Sequence, residues 1–202
     1  MKPFLARQAY TLLAFVGVIF LFIWVFWGFS WILFLLFLAL CFIYKNKQIS
    51  VFCTDEKAIL SPVDGNIAKI QTVNHRDLGE CVELSIENSF YNEGVIRACS
   101  KMTIKQIKFR HGLFFGTQDL ANFNERVLIL ANSGKKNFGL RISAGFLDRK
   151  IKLNQNLSKL QAGDELGFSL NSTVSLFLPK DTRLLVGVGD RTNSCSLLGY
   201  FS

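Results

Sequence analysis

The sequence predicts a mainly β domain of about 155 residues behind an N-terminal two-helix transmembrane hairpin. Three observations carry this. No charged residue occurs between Arg7 and Lys45. From Ala58 onward, short alternating or β-branched runs recur with turn residues between them. Helical periodicity is almost missing from that second part.

The apolar stretch runs from Ala9 to Tyr44 and is rich in Phe, Leu, Ile and Trp. One spanning helix needs about 20 apolar residues, so the stretch is long for one helix and short for two. Gly28, Phe29 and Ser30 offer a turn near its middle. The expected helices are roughly 9–27 and 31–45, with residues 1–48 forming the anchor and 49–202 the β-rich domain. Lys2 and Arg7 flank one end, and Lys45 and Lys47 the other. Positive charge at both ends places both on the cytoplasmic side, with Trp24, Trp27 and Trp31 near the hairpin tip at an interface. The competing readings are a cleaved signal peptide and one long tilted helix. The first is disfavoured by the length of the apolar run and by the lack of a small-residue cleavage site after it.

In the body, strands are expected at Ala58–Leu60, Asn66–Ile70, Cys81–Ile86, Lys105–Phe109, Val127–Leu130, Gly139–Ser143, Thr173–Leu178 and Leu184–Val188. Residues Thr117–Asn124 hold one short helical turn at most. No repeat of 20–50 residues appears.

The chain carries 23 Lys and Arg against 15 Asp and Glu, a net charge of +8. Lys2 and Arg7 are the only charges before Lys45, so the body stays basic and suits an anionic lipid surface. Its basic residues are scattered rather than clustered, which argues against nucleic acid as a partner. The five cysteines, Cys41, Cys53, Cys81, Cys99 and Cys195, include no C-x-x-C pair. With only His75 and His111 beside them, no metal site is expected, and unpaired thiols fit a reducing cytoplasm.

Two turn-rich elements, Ser61-Pro62-Val63-Asp64-Gly65 and Ala162-Gly163-Asp164-Glu165-Leu166-Gly167, look like the hairpin turns of barrel-sandwich, lipoyl-like domains. A lipoyl or biotinyl carrier is disfavoured because no lysine sits at a suitable hairpin tip. The order of the motifs says more than either turn. After Asp64-Gly65 come Val95, Arg97 and Ala98, then Gly112 and Phe114, then Asn124-Glu125-Arg126. Ala144-Gly145 with Arg149 and Ile151, Gly163-Asp164 with Gly167, Ser172-Thr173-Val174 and Leu178-Pro179 complete the series. Over residues 58–202 this series resembles phosphatidylserine decarboxylases, particularly the short bacterial and archaeal type with an N-terminal membrane hairpin.

The resemblance implies a membrane-bound enzyme that converts phosphatidylserine to phosphatidylethanolamine through a pyruvoyl group made from its own serine. Ser172 matches that serine, with self-cleavage between Asn171 and Ser172 giving a heterodimer of chains 1–171 and 172–202. Asp64 matches the acidic residue supporting the base, and His111 is the histidine left to fold into the site. Arg97, Asn124, Glu125, Arg126 and Arg149 are the candidate contacts to the lipid. The resemblance also implies a bacterial inner membrane, with the β domain facing the cytoplasm and a membrane phospholipid as partner; homo-oligomerisation is left open.

Two positions depart from the family pattern. Asn171 stands where glycine usually precedes the cleavage serine, and Gly94 stands where the family histidine falls, with Asn92 in place of an aspartate. Histidine is the usual proton carrier near neutral pH. The second reading is therefore a catalytically inactive relative that binds lipid or scaffolds a membrane partner.

Overall fold

A computed structural model describes residues 9–46, 55–112, 124–134, 136–145, 151–155 and 157–202. The chain divides into two compact units, Met1–Gln48 and Ile49–Ser202. In the first, helices α1 (Tyr10–Trp27) and α2 (Trp31–Ile43) are joined by a three-residue turn. Gly28 ends α1 with φ 89°, and its N–H donates to the Trp24 carbonyl at 3.1 Å. The helices run antiparallel: Phe20 packs on Phe34 with ring centroids 6.2 Å apart, and Gly17 lies against Phe37. Trp24 and Trp31 both rest on Phe29 at the turn. At 1.5 Å per residue, α1 rises about 27 Å and α2 about 20 Å, against an apolar bilayer layer of about 30 Å. Among the described residues no helix is long and apolar enough to cross a membrane.

The second unit is mainly β. Its strands are β1 (Ala58–Leu60), β2 (Gly65–His75), β3 (Gly79–Glu87), β4 (Val95–Arg97), β5 (Met102–Arg110), β6 (Arg126–Ser133) and β7 (Lys136–Ser143). They are followed by β8 (Lys152–Leu153), β9 (Lys159–Leu160), β10 (Glu165–Phe168), β11 (Thr173–Pro179), β12 (Arg183–Leu184), β13 (Arg191–Thr192) and β14 (Leu197–Tyr200). Eight of them form one antiparallel sheet in the order β13-β2-β3-β11-β7-β6-β5-β9. Two three-stranded sheets, β1-β14-β12 and β4-β10-β8, complete the unit.

Alternation sorts the faces of the large sheet. Leu84, Ile86, Val127, Ile129, Leu140, Ile142, Val174 and Leu176 point into one core. The opposite face is polar: Ser85 and Ser175 share a 2.8 Å hydrogen bond, Gln71 donates to Glu83 at 2.8 Å, and Arg141 pairs with Glu83. The Arg141 guanidinium also lies over the Phe177 ring, 4.9 Å from its centroid.

The expected run Leu184–Val188 is a strand only at Arg183–Leu184. Beyond it, Asp190 Oδ2 accepts the Gly187 N–H at 2.7 Å, and Gly189 turns at φ 92° to donate to the Ile67 carbonyl. A side-chain turn therefore replaces the ladder. The short strands β4, β10 and β14 have no periodic run to announce them, and pairing with longer neighbours makes them. The possible turn at Thr117–Asn124 lies outside the described residues except for Asn124.

Cys41, Cys81, Cys99 and Cys195 are in no disulfide, and Cys53 lies outside the described residues. Burial pushes the Cys99 thiol up to about 12, so it stays protonated and packs as a small apolar group.

Candidate functional site

Six strands of the large sheet end side by side, and the predicted site residues gather at those ends. One register row crosses the sheet as Asn66, Glu87, Thr173, Ser143, Arg126 and Arg110. Because the neighbours are antiparallel, the residues one step beyond this row lie on the same edge: Asp64–Gly65, Asn88, Ser172, Ala144, Glu125 and His111. Residues scattered over more than a hundred positions thus come to one end of one sheet.

Ser172 brings a hydroxyl to this edge. It is buried, its Oγ donates to the Ser169 carbonyl at 3.4 Å, and its carbonyl accepts the Asn88 N–H at 2.9 Å. The preceding residue, Asn171, has φ 50°, in the left-handed region that asparagine tolerates better than most residues. The carbonyl of Asn171 lies against Gly145, where an added Cβ would fall 1.5 Å from that oxygen and 2.4 Å from its carbon. Only glycine leaves room for this approach. Gly145→Ala is expected to destabilise the body by about 1–3 kcal/mol and to displace the Asn171–Ser172 peptide. Urea unfolding of the full chain checks this, and an unchanged midpoint would contradict it.

Asp64 is buried at the start of β2, and its Oδ1 accepts the Ser194 N–H at 2.6 Å. The turn before it is fixed by Ser61 Oγ donating to the Val63 carbonyl at 2.7 Å. Strand β3 separates Asp64 from Ser172, about 10 Å at the usual strand spacing. Asn124 is buried and donates through Nδ2 to the Ala144 carbonyl at 3.1 Å, which holds the loop that carries Gly145. Glu125 Oε1 accepts the Ile151 N–H at 3.0 Å, and its Oε2 lies 3.6 Å from His111 Nδ1. Arg126 faces Arg110 directly across β5 and β6, and burial, then Arg110 and Arg141, lowers its pKa from the usual guanidinium range.

His111 stands at the same sheet end, but its side chain is 84% exposed. Three strand spacings, about 14 Å, separate it from Ser172. Arg97 is fully buried, with Nη2 2.7 Å from Oε1 of the equally buried Glu93. The structure thus places Arg97 inside the body as half of an internal ion pair. Arg149 lies outside the described residues. Among the described residues no group of His, Cys, Asp and Glu is arranged to hold a metal ion.

The Gly94 carbonyl accepts the Ser169 N–H at 2.9 Å. Position 94 therefore borders the Ser169–Ser172 segment. An added Cβ would lie 2.8 Å from the Phe168 ring and 2.9 Å from Leu170 Cδ2. The room that a side chain at 94 would take is filled by those two groups.

Asn88 and Ser169 carry no sequence signal, yet both matter. Asn88 Nδ2 donates to the Glu93 carbonyl at 2.7 Å, while Asn88 Oδ1 and Ser169 Oγ are buried without a hydrogen-bond partner among the described residues. Leaving such atoms unpaired costs about 1–3 kcal/mol each. A cavity of about 520 Å³ opens at the other end of the sheet, between Lys57, Lys101, Met102 and Lys136. Lys101 is paired with Glu56 at 2.9 Å and Lys136 with Asp181.

The sequence profile described as "Phosphatidylserine decarboxylase" matches residues 38–200. A "Phosphatidylserine decarboxylase proenzyme" from Desulfotalea psychrophila is 33% identical over 149 residues, covering 69% of each chain. One from Pelobacter propionicus is 30% identical over 175 residues, covering 82% of this chain and 78% of the relative. One from Polynucleobacter asymbioticus is 26% identical over 197 residues, covering 94% of this chain and 91% of the relative. No solved structure matches.

Proposed function

Since the chain belongs to the phosphatidylserine decarboxylase family, we propose that it is a membrane-bound decarboxylase of phosphatidylserine that activates itself at Ser172. The observation that carries this reading is the Asn171–Ser172 peptide, with its left-handed Asn171 and its carbonyl seated on Gly145. Backbone held in sparsely populated regions clusters at active sites.

In this reading Ser172 Oγ attacks the Asn171 carbonyl carbon, and the acyl group moves from nitrogen to oxygen. Elimination across the Ser172 Cα–Cβ bond frees Asn171 as a carboxylate. Hydrolysis of the resulting enamine, with loss of ammonia, leaves a pyruvoyl N-terminus. That group, once formed, supplies an electron sink for the electrons left by carbon dioxide. The residues present fit it in one respect: Ser169 Oγ can donate to a new keto oxygen, and Asn88 Oδ1 can accept from an incoming amine. Asp64, held by the Ser194 N–H, keeps a carboxylate at this sheet end. The apolar hairpin enters the inner membrane from the cytoplasmic side and returns to it, leaving a barrel-sandwich-like body in the cytoplasm.

The inactive-relative reading has its own supporting observation, the closed space at Gly94. Purified protein given phosphatidylserine vesicles separates the two: phosphatidylethanolamine formation supports the enzyme, and its absence supports the lipid-binding relative. Gly94→His alone is expected to destabilise the body by about 1–3 kcal/mol through overpacking, and adding Phe168→Leu and Leu170→Ala is expected to recover most of that. Thermal unfolding of both variants checks this, and a single variant as stable as the parent would contradict it.

A further inference from the structure

The Asn171–Ser172 peptide lies where the chain passes between two sheets. Strand β10 ends at Phe168 in one sheet, and β11 begins at Thr173 in the other. Residues Ser169–Ser172 make that crossing, with Asn171 left-handed at φ 50°. A second segment makes the same crossing in the opposite direction. Strand β3 ends at Glu87, opposite Thr173, and β4 begins at Val95, opposite Phe168. Residues 88–94 join them.

Two backbone bonds tie the crossings together. The Asn88 N–H donates to the Ser172 carbonyl at 2.9 Å, and the Ser169 N–H donates to the Gly94 carbonyl at 2.9 Å. One side chain fixes the span between these ties on the 88–94 side. Asn88 Nδ2 donates to the Glu93 carbonyl at 2.7 Å and so joins the two ends of that segment directly. Between them the Asn92 N–H donates to the Ser89 carbonyl at 2.9 Å. On the other side Ser172 Oγ reaches the Ser169 carbonyl at 3.4 Å. The hydrogen bonds close a ring: Asn88 to Glu93, Gly94 to Ser169, Ser169 to Ser172, and Ser172 back to Asn88. Asn88 and Ser172 are both buried, and a hydrogen bond shut away from water is the stronger for it.

We propose that Asn88 is a positioning residue for self-cleavage. Its side-chain amide sets the span between the two sheets and so holds the Asn171–Ser172 peptide in place for attack, a role that rests on the self-processing proposed above. In that step Ser172 Oγ bonds to the Asn171 carbonyl carbon, the bond from that carbon to the Ser172 nitrogen breaks, and the hydroxyl proton ends on the freed amine. Asn88 acts on these atoms through the backbone. Without its amide, Glu93–Gly94 can move away from the end of β3 and carry Ser169 with them. A misplacement of about 1 Å costs about a hundredfold in such a reaction.

The test times cutting in the full chain by electrophoresis after a pulse of cell-free synthesis with lipid vesicles, below the unfolding range of every variant. Hydroxylamine, added to part of each sample, cleaves an ester and leaves a peptide bond, so it reports the acyl shift before elimination. Asn88→Ala is expected to be cut at least about tenfold more slowly, with the hydroxylamine-released fragment falling in step. Asn88→Asp keeps the shape but, as a carboxylate, has no proton to donate, and should be slow as well. Asn132→Ala removes a bond of the same kind, to the Gly134 carbonyl at 3.2 Å in the β6–β7 turn, and should be cut at the parent's rate. Cutting needs no substrate amine, so the contact suggested for Asn88 Oδ1 does not enter this readout. A purely structural role for Asn88 would lower the thermal midpoint while the folded chain is cut at the parent's rate, and that result overturns the proposal. Ester that accumulates in Asn88→Ala, or an Asp variant as fast as the parent, overturns it too. A parent that is never cut sinks the self-processing reading and this role with it, whereas a parent and variants cut equally fast sink this role alone.

Discussion

Ser172→Ala is expected to leave a single uncut chain and to reduce phosphatidylethanolamine formation to background. The hydroxyl is the proposed nucleophile, and no neighbour can replace it. Thr173 is already paired within β11, opposite Glu87 and Ser143, and alternation turns its side chain to the other face. The alanine variant keeps the backbone and removes only one 3.4 Å hydrogen bond to the Ser169 carbonyl, so stability should change by less than about 1 kcal/mol. Electrophoresis and a phospholipid assay on the same preparation check both halves. Conversion of phosphatidylserine by the alanine variant would contradict the assignment of the cofactor to this serine.

Glu93→Ala is expected to be the most damaging change to the body itself. Glu93 and Arg97 are both fully buried and joined at 2.7 Å. Removing the carboxylate leaves a guanidinium inside the protein, and breaking a buried pair in this way costs about 3–5 kcal/mol. For a chain of this size that corresponds to a fall in Tm of roughly 6–20 °C. The damage should also reach the site, because β4 carries Arg97 and pairs with β10, which leads into Ser169–Ser172. Replacing both partners, Glu93→Leu with Arg97→Met, should recover most of the loss. A Glu93→Ala variant within about 0.5 kcal/mol of the parent would mean that water reaches this pair.

Much of this was legible in the sequence, for reasons that can be named. Asp64 and Asn124–Glu125 sit where turn chemistry meets a β-branched run, so their positions at strand ends follow from local signals. Ser172 opens the most regular alternating run in the body, Thr173–Leu178. The Glu93–Arg97 pair was not legible. A spacing of four suggests a helix face, while here a loop residue reaches back to a short strand, and only the fold buries both. Arg97 therefore read as a phosphate contact. The filling of the Gly94 site was also hidden, because Phe168 and Leu170 arrive from β10 and the turn after it, more than seventy residues later. Neither residue carries a mark of that role. His111 read as a free histidine that could fold into the site; register puts it three strands from Ser172, a distance that no local pattern encodes.

The departure at Asn171 has a structural counterpart. Glycine is the easiest residue to hold at positive φ, and asparagine is among the next most tolerant. The chain keeps the left-handed backbone there at φ 50°.

The intact mass of the purified full-length protein is the measurement that tests the central claim most directly. The account predicts two fragments divided between Asn171 and Ser172, the smaller with an N-terminus blocked as a pyruvoyl group. One full-length mass, stable over days in the presence of phosphatidylserine vesicles, would contradict it.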